Sequence, residues 1–188
     1  MITQPHDLLR CFGAGDPLYE RYHDEEWGQP VHGDAALYER MVLEGFQSGL
    51  SWLTILRKRE GFREAFAGFD PAAVAAFDGD DVERLMADAN IVRNRRKIEA
   101  AITNAQAVVD LQAQGRSLDE VVWSHRPAAR EARPADWTQV PASTDDSKAL
   151  AKELKSLGFV FVGPTTMYAL MQACGLVDDH IAGCIGAR

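Results

Sequence analysis

Val82-Glu83-Arg84-Leu85-Met86-Ala87-Asp88, then Ala89-Asn90-Ile91-Val92, then Arg93-Asn94-Arg95-Arg96-Lys97: the fold turns on how this stretch is read. Its first seven residues suit a short helix, the next four a tight connection, and the last five the opening of a second helix. Ile98, Ile102, Ala105 and Val109 carry that second helix on at helical spacing as far as Gln112. Asp80, with Glu83 three positions on, predicts a capping box for the first helix. Four positive charges in five residues, beside the backbone N–H groups of a tight turn, suit a phosphate-holding element. A solvated basic helix start accounts for the same residues equally well. Arg57-Lys58-Arg59 forms a second, weaker basic patch.

Outward from this unit, helical signals dominate. Asp16-Pro17 reads as an N-cap and first-turn proline opening a helix through Tyr19, Tyr22 and His23. Asp34 is expected to cap a second helix, with Leu37, Met41, Glu44 and Ser48 along one line of its surface. Ser51 is a candidate cap for a third, and Asp70-Pro71 starts another. Gln114 to Thr144 is looser, broken by Pro127, Pro134 and Pro141. Helix resumes at Thr144 and stops at Gly158, a C′ position. Phe159-Val160-Phe161-Val162 is β-like, but four residues alone make no sheet. A last helix runs from near Pro164 to before Gly175. The expectation is an all-α unit of roughly nine helices.

Composition sets the class. The 188 residues are 46% hydrophobic and 26% charged, an ordinary globular balance. Twenty Lys+Arg against 28 Asp+Glu give a net charge of −8, which argues against coating nucleic acid by general electrostatics. A local basic cluster still acts on its own within a Debye length of about 8–10 Å. No apolar run approaches a membrane span. Met1–Asp7 has neither the basic start nor the apolar stretch of a signal peptide. Three cysteines argue against a disulfide framework, so the expected compartment is the cytoplasm.

Three constellations carry chemistry. Cys11, His23, His180 and Cys184 are soft metal ligands, and His180-x-x-x-Cys184 would bring two of them to one side of a helical turn. A Cys₂His₂ set closes a tetrahedral zinc with no open position, which means structure rather than hydrolysis. Two buried thiols and two surface histidines are the plainer reading. Cys174, beside Met171, reads as core. Glu44 shares a helix face with apolar Leu37 and Met41, so it is either buried with a shifted pKa or at a rim near water or an arginine. Tyr19, Tyr22, Trp27 and Trp52 are either core aromatics or, with one acid, walls of a pocket for a flat cationic ring.

Together the stretches Asp16–Tyr19, Tyr22–Gly28, Leu43-Glu44-Gly45 leading into Gly49–Trp52, the Arg93–Lys97 hairpin region, Gly158–Gly163 and Met171–Val177 followed by Asp179-His180 resemble a known family. It is the bacterial 3-methyladenine DNA glycosylase I (Tag) family, within the helix-hairpin-helix DNA glycosylases, and the likeness runs from about Cys11 to Cys184. The resemblance implies one all-α unit over residues 1–188, of two helical lobes. A structural zinc on Cys11, His23, His180 and Cys184 would join the N- and C-terminal segments in one lobe. It implies that Glu44 recognises the amino edge of a flipped base and that Tyr22 and Trp52 stack on it, supported by Tyr19 and Trp27. Gly49-Leu50 would enter the duplex, and the Asn90–Lys97 hairpin, with Arg93, Arg95, Arg96 and Lys97, would hold its backbone.

The implied activity is hydrolysis of the N-glycosidic bond of 3-methyladenine in double-stranded DNA, leaving an abasic site without strand cleavage, by a monomer with no membrane attachment. Two positions depart from the family pattern. Cys11-Phe12-Gly13 stands where members carry a tryptophan shortly after the first zinc cysteine, so Phe12 is expected to supply that aromatic face. Asn90 stands where glycine is usual, and asparagine tolerates a positive φ. The missing tryptophan is the feature that favours an alternative reading, a non-catalytic module that binds alkylation damage.

Overall fold

The computed structural model describes residues 9–186; the Met1–Asp7 stretch lies outside them. Nine α-helices follow one another among the described residues: α1 (Pro17–Glu25), α2 (Asp34–Gln47), α3 (Trp52–Ala65), α4 (Pro71–Ala75), α5 (Gly79–Ala87), α6 (Arg95–Ala113), α7 (Leu118–Ser124), α8 (Asp145–Ser156) and α9 (Pro164–Ala173). Two single 3₁₀ turns, Ala67–Phe69 and Trp137–Gln139, complete the set, and no strand occurs among the described residues. No helix there is long and apolar enough to cross a membrane.

Helix α2 is the axis. Seven of its fourteen residues are buried, among them Leu37, Tyr38, Met41, Leu43 and Phe46, and each large apolar side chain so buried contributes about 1.5–3 kcal/mol. It packs against α3, α6, α7 and α9, and one hydrophobic cluster runs from Tyr22 to Leu176. The Tyr38 hydroxyl donates to Ala101 O at 2.9 Å, fixing α2 on α6. Phe46 of α2 meets Phe62 edge-on, and Phe62, Phe66 and Phe69 stack in turn, the last two rings lying 5.7 Å apart and 3° from parallel.

Several local expectations are met. Asp16, Ser51 and Asp70 cap α1, α3 and α4 through their side-chain oxygens, and Gly158 (φ 92°) ends α8 in the left-handed conformation that glycine adopts without strain. Others are corrected. Gly33, not Asp34, is the N-cap of α2; the Asp34 carboxylate instead accepts from Asp119 N and Gln112 Nε2. The capping box of α5 is Asp78 with Asp81, two residues before the expected pair. The proline-broken stretch contains α7, opened by a capping box of Ser117 and Glu120.

Two helices with a short connection occur here, but the connection runs on to Asn94, the N-cap of α6, so Arg93 lies outside the helix it was expected to open. Asn90 does not take a positive φ; the Asp88 side chain accepts from Asn90 N at 2.8 Å and makes the turn with ordinary backbone. The hairpin rests on Gly61 of α3, where an added Cβ would come within 2.7 Å of Asn90 Cβ and O. Lys58 donates to Ala89 O at 2.7 Å. With Arg57 on Asp16 and Arg59 on Glu26, the second basic patch is spent on internal contacts.

Candidate active site and metal centre

Helix α2 carries Glu44 inward, so of the two positions its line-mates allowed, buried or at a rim, the structure takes the buried one. Glu44 is 5% exposed, and burial raises its carboxyl to about 8, against a smaller downward pull from Arg40. Arg40 is held beneath by Glu26, which also takes Arg59, and its guanidinium lies 5.9 Å from the Tyr22 ring centre.

Glu44 opens onto a cavity of about 200 Å³ whose walls are aromatic. At ~30 Å³ per water, that space is the size of one flat heterocycle. Tyr22 (α1) and Trp52 (first residue of α3) have ring centroids 5.2 Å apart at 43°, so they touch each other as adjoining walls. Tyr19, one turn before Tyr22, continues that wall. Burial raises the pKa of both tyrosines, and the nearby Glu44 adds to it. Trp52 Nε1 is buried with no hydrogen-bond partner among the described residues. Phe12 sits 4.9 Å from Tyr19 and edge-on to Trp27 at 5.1 Å, and lines the cavity.

A further indole reaches the cavity from elsewhere in the chain. Trp137, in the 3₁₀ turn, lines the same cavity; its Nε1 donates to Cys11 O at 3.0 Å, and its ring lies 6.5 Å from Phe12. Its segment shows no helical or strand period, so no sequence signal tied it to the site. Gln47, Ala169 and Gln172 were likewise not anticipated and complete the lining.

Behind Phe12 and Tyr22, the adjacent residues Cys11 and His23 meet the C-terminal segment. Ligand atoms of Cys11, His23 and Cys184 lie within 4.8 Å of one another, with Cys184 Sγ 3.2 Å from His23 Nε2. His180 falls outside that group, although its ring centre is 5.3 Å from that of His23. The His180–Cys184 segment is a turn rather than the expected helix, closed by Cys184 N donating to Ile181 O. The donor set nevertheless fits a soft tetrahedral cation. Each histidine holds a carboxylate at Nδ1, His23 to Asp24 and His180 to Asp178, both at 2.8 Å, which turns Nε2 inward. His180 Nε2 is buried without a partner among the described residues. It faces the bare backbone of Gly186, a cradle that a Cβ would fill. Cys174 is buried away from this cluster, as core.

The remaining site residues divide. Gly49 (φ 84°) and Leu50 (42% exposed) stand out from the end of α2. Arg93 and Arg96 are exposed, with no ion pair among the described residues. Arg95 pairs with Glu83 at 2.6 Å. Lys97 turns back to donate to Phe46 O and Ser48 O at 2.9 and 2.6 Å, capping α2.

Residues 12–187 match the family model of methyladenine glycosylase. The chain belongs to that family. It is 49% identical over 181 residues to DNA-3-methyladenine glycosylase 1 of Escherichia coli, covering 94% of this chain and 96% of that protein. It is 44% identical to DNA-3-methyladenine glycosylase of Haemophilus influenzae, over 93% and 96%. Among solved structures, a 3-methyladenine DNA glycosylase I superposes with a TM-score of 0.92 at 47% identity, covering 96% of this chain and all of that one. The Staphylococcus aureus enzyme, described for its recognition of 3-methyladenine, superposes at 0.88 with 38% identity and 95% of both chains covered.

Proposed function

We propose that the chain is a DNA-3-methyladenine glycosylase, an enzyme that hydrolyses the N-glycosidic bond of 3-methyladenine in alkylated double-stranded DNA. One observation carries the reading: a single buried acid, Glu44, faces a cavity of about 200 Å³ walled by aromatic rings. Methylation at N3 puts positive charge on adenine and weakens its bond to the sugar, so the leaving group needs little assistance. Aromatic faces attract a cationic ring, and a lesion that stacks poorly is extruded more cheaply. In the empty cavity Glu44 holds a proton at neutral pH; the cation's arrival favours the carboxylate, which accepts from the amino edge of the base. Water then attacks C1′ of an oxocarbenium-like sugar, leaving an abasic site and free base. Among the described residues no lysine lines the cavity, which fits hydrolysis without strand cleavage.

The α5–α6 hairpin serves as the helix-hairpin-helix element, offering Arg93 and Arg96 to the backbone, with Gly49-Leu50 filling the gap left by the base. Cys11, His23 and Cys184, with His180 beside them, would hold a structural zinc. The ion would supply a closed tetrahedral link between the two ends of a single unit, and no step of the reaction passes through it. Incubation with methylated duplex and chromatography of released bases tests the activity. Release of 3-methyladenine by the wild type and its sharp loss in Glu44→Gln are expected; full release by that variant removes Glu44 from the mechanism.

A further inference from the structure

Ala169 and Gln172, three residues apart on α9, turn one face of that helix to the cavity. Asp179, 1% exposed and absent from the lining, lies against the other side of Gln172. Its Oδ2 accepts from Gln172 Nε2 at 2.8 Å and from the Tyr168 hydroxyl at 2.5 Å, and its Oδ1 pairs with Arg130 Nη1 at 2.9 Å. Arg130 Nη2 donates to the Tyr168 oxygen at 3.1 Å, so the one tyrosine proton is committed to Asp179. An unrestrained amide can present either end. Here a flip would set the Gln172 carbonyl oxygen against a carboxylate that only accepts. The nitrogen is pinned backward, and Oε1 is left for the cavity.

We propose that Gln172 Oε1 accepts one hydrogen of the exocyclic amino group of the bound base, Glu44 taking the other, and so selects a purine with an amino group there over one with a carbonyl. Asp179 is a positioning residue that acts through Gln172. The inference rests on the reading of the cavity as the 3-methyladenine site. It adds a division of labour: a carboxyl group can donate or accept according to whether it holds a proton, whereas the pinned amide oxygen can only accept.

The test uses the full-length protein and DNA carrying both 3-methyladenine and 3-methylguanine, with each released base quantified. Gln172→Leu is expected to slow 3-methyladenine release by roughly tenfold to a hundredfold, the range for one hydrogen bond to a charged partner, and to raise the ratio of 3-methylguanine to 3-methyladenine. Asp179→Asn, which lets the amide flip, is expected to move the ratio the same way, and the double variant no further than Gln172→Leu alone. Because Asp179 is buried and paired, each variant is checked by thermal melting; if Asp179→Asn does not fold, the change at half-buried Gln172 alone decides the outcome. An unchanged ratio in Gln172→Leu, with an active wild type, overturns this inference and leaves the glycosylase reading intact. No 3-methyladenine release by the wild type overturns both.

Discussion

Glu44→Gln separates the electrostatic cost of the buried acid from its shape. Burial holds the native carboxyl at about 8, where an exposed one titrates at 4.5. Between these values the folded chain keeps a proton that the unfolded chain has released. The unfolded state binds fewer protons, so stability falls as pH rises from about 4.5 and levels off above about 8. At about 1.4 kcal/mol per pH unit, the penalty is about 3 kcal/mol at pH 7 and approaches about 5 kcal/mol at pH 9. An amide of the same shape carries none of it. Wild type and variant should therefore melt close together at pH 5 and separate progressively toward pH 9, with the variant higher. In a chain of this size the gap at pH 7 is about 6–12 °C. Calorimetric melts at fixed steps across that range, on samples of equal zinc content, measure it. Equal melting temperatures throughout, or a gap that widens toward acid, would refute the claim that this carboxyl is desolvated.

Other perturbations separate the parts of the site. Cys184→Ser should lower the melting temperature by about 10 °C or more, from loss of a clip closing nearly the whole chain, with a smaller effect on excision per folded molecule; calorimetry with elemental zinc analysis reads both, and unchanged melting would show no clip. Trp137→Ala, at a ring 42% exposed, should weaken binding of free 3-methyladenine by about tenfold to a hundredfold, the worth of one stacking face. Its melting temperature should stay within about 2 °C, and unchanged affinity by tryptophan fluorescence would remove that wall. Gly61→Ala drives a methyl into the Asn90 backbone and should cost about 1–3 kcal/mol. Duplex affinity, followed by anisotropy, should fall while free-base binding holds; equal affinity would detach the hairpin from DNA.

Much of this architecture was legible because helix signals are local. Asp16-Pro17, Ser51 and Asp70-Pro71 announce their helices through caps that close within the first turn. The capping box of α5 shows the limit: where several acids crowd a helix start, spacing alone does not say which of them caps it. Glu44 was readable because 3.6-residue periodicity put it in line with Leu37 and Met41. Trp137 was not, since its position depends on a bond to Cys11 O from 126 residues away, and no pattern within its own segment encodes that. Lys97 belonged by composition to a basic patch, yet the carbonyls it reaches end another helix altogether. The same distance effect hid Gln172, whose significance comes from a carboxylate seven positions on.

The tie between Lys97 and the end of α2 has a mechanical meaning. It ties the start of α6 to the end of α2, so in the proposed function the hairpin and Gly49-Leu50 would meet DNA as one template with a fixed span. A duplex that docks on such a template must supply the deformation itself, and steps already loosened by damage yield most easily. On that reading, scanning for lesions would be a measurement of how readily the DNA gives way, made before any base reaches the cavity.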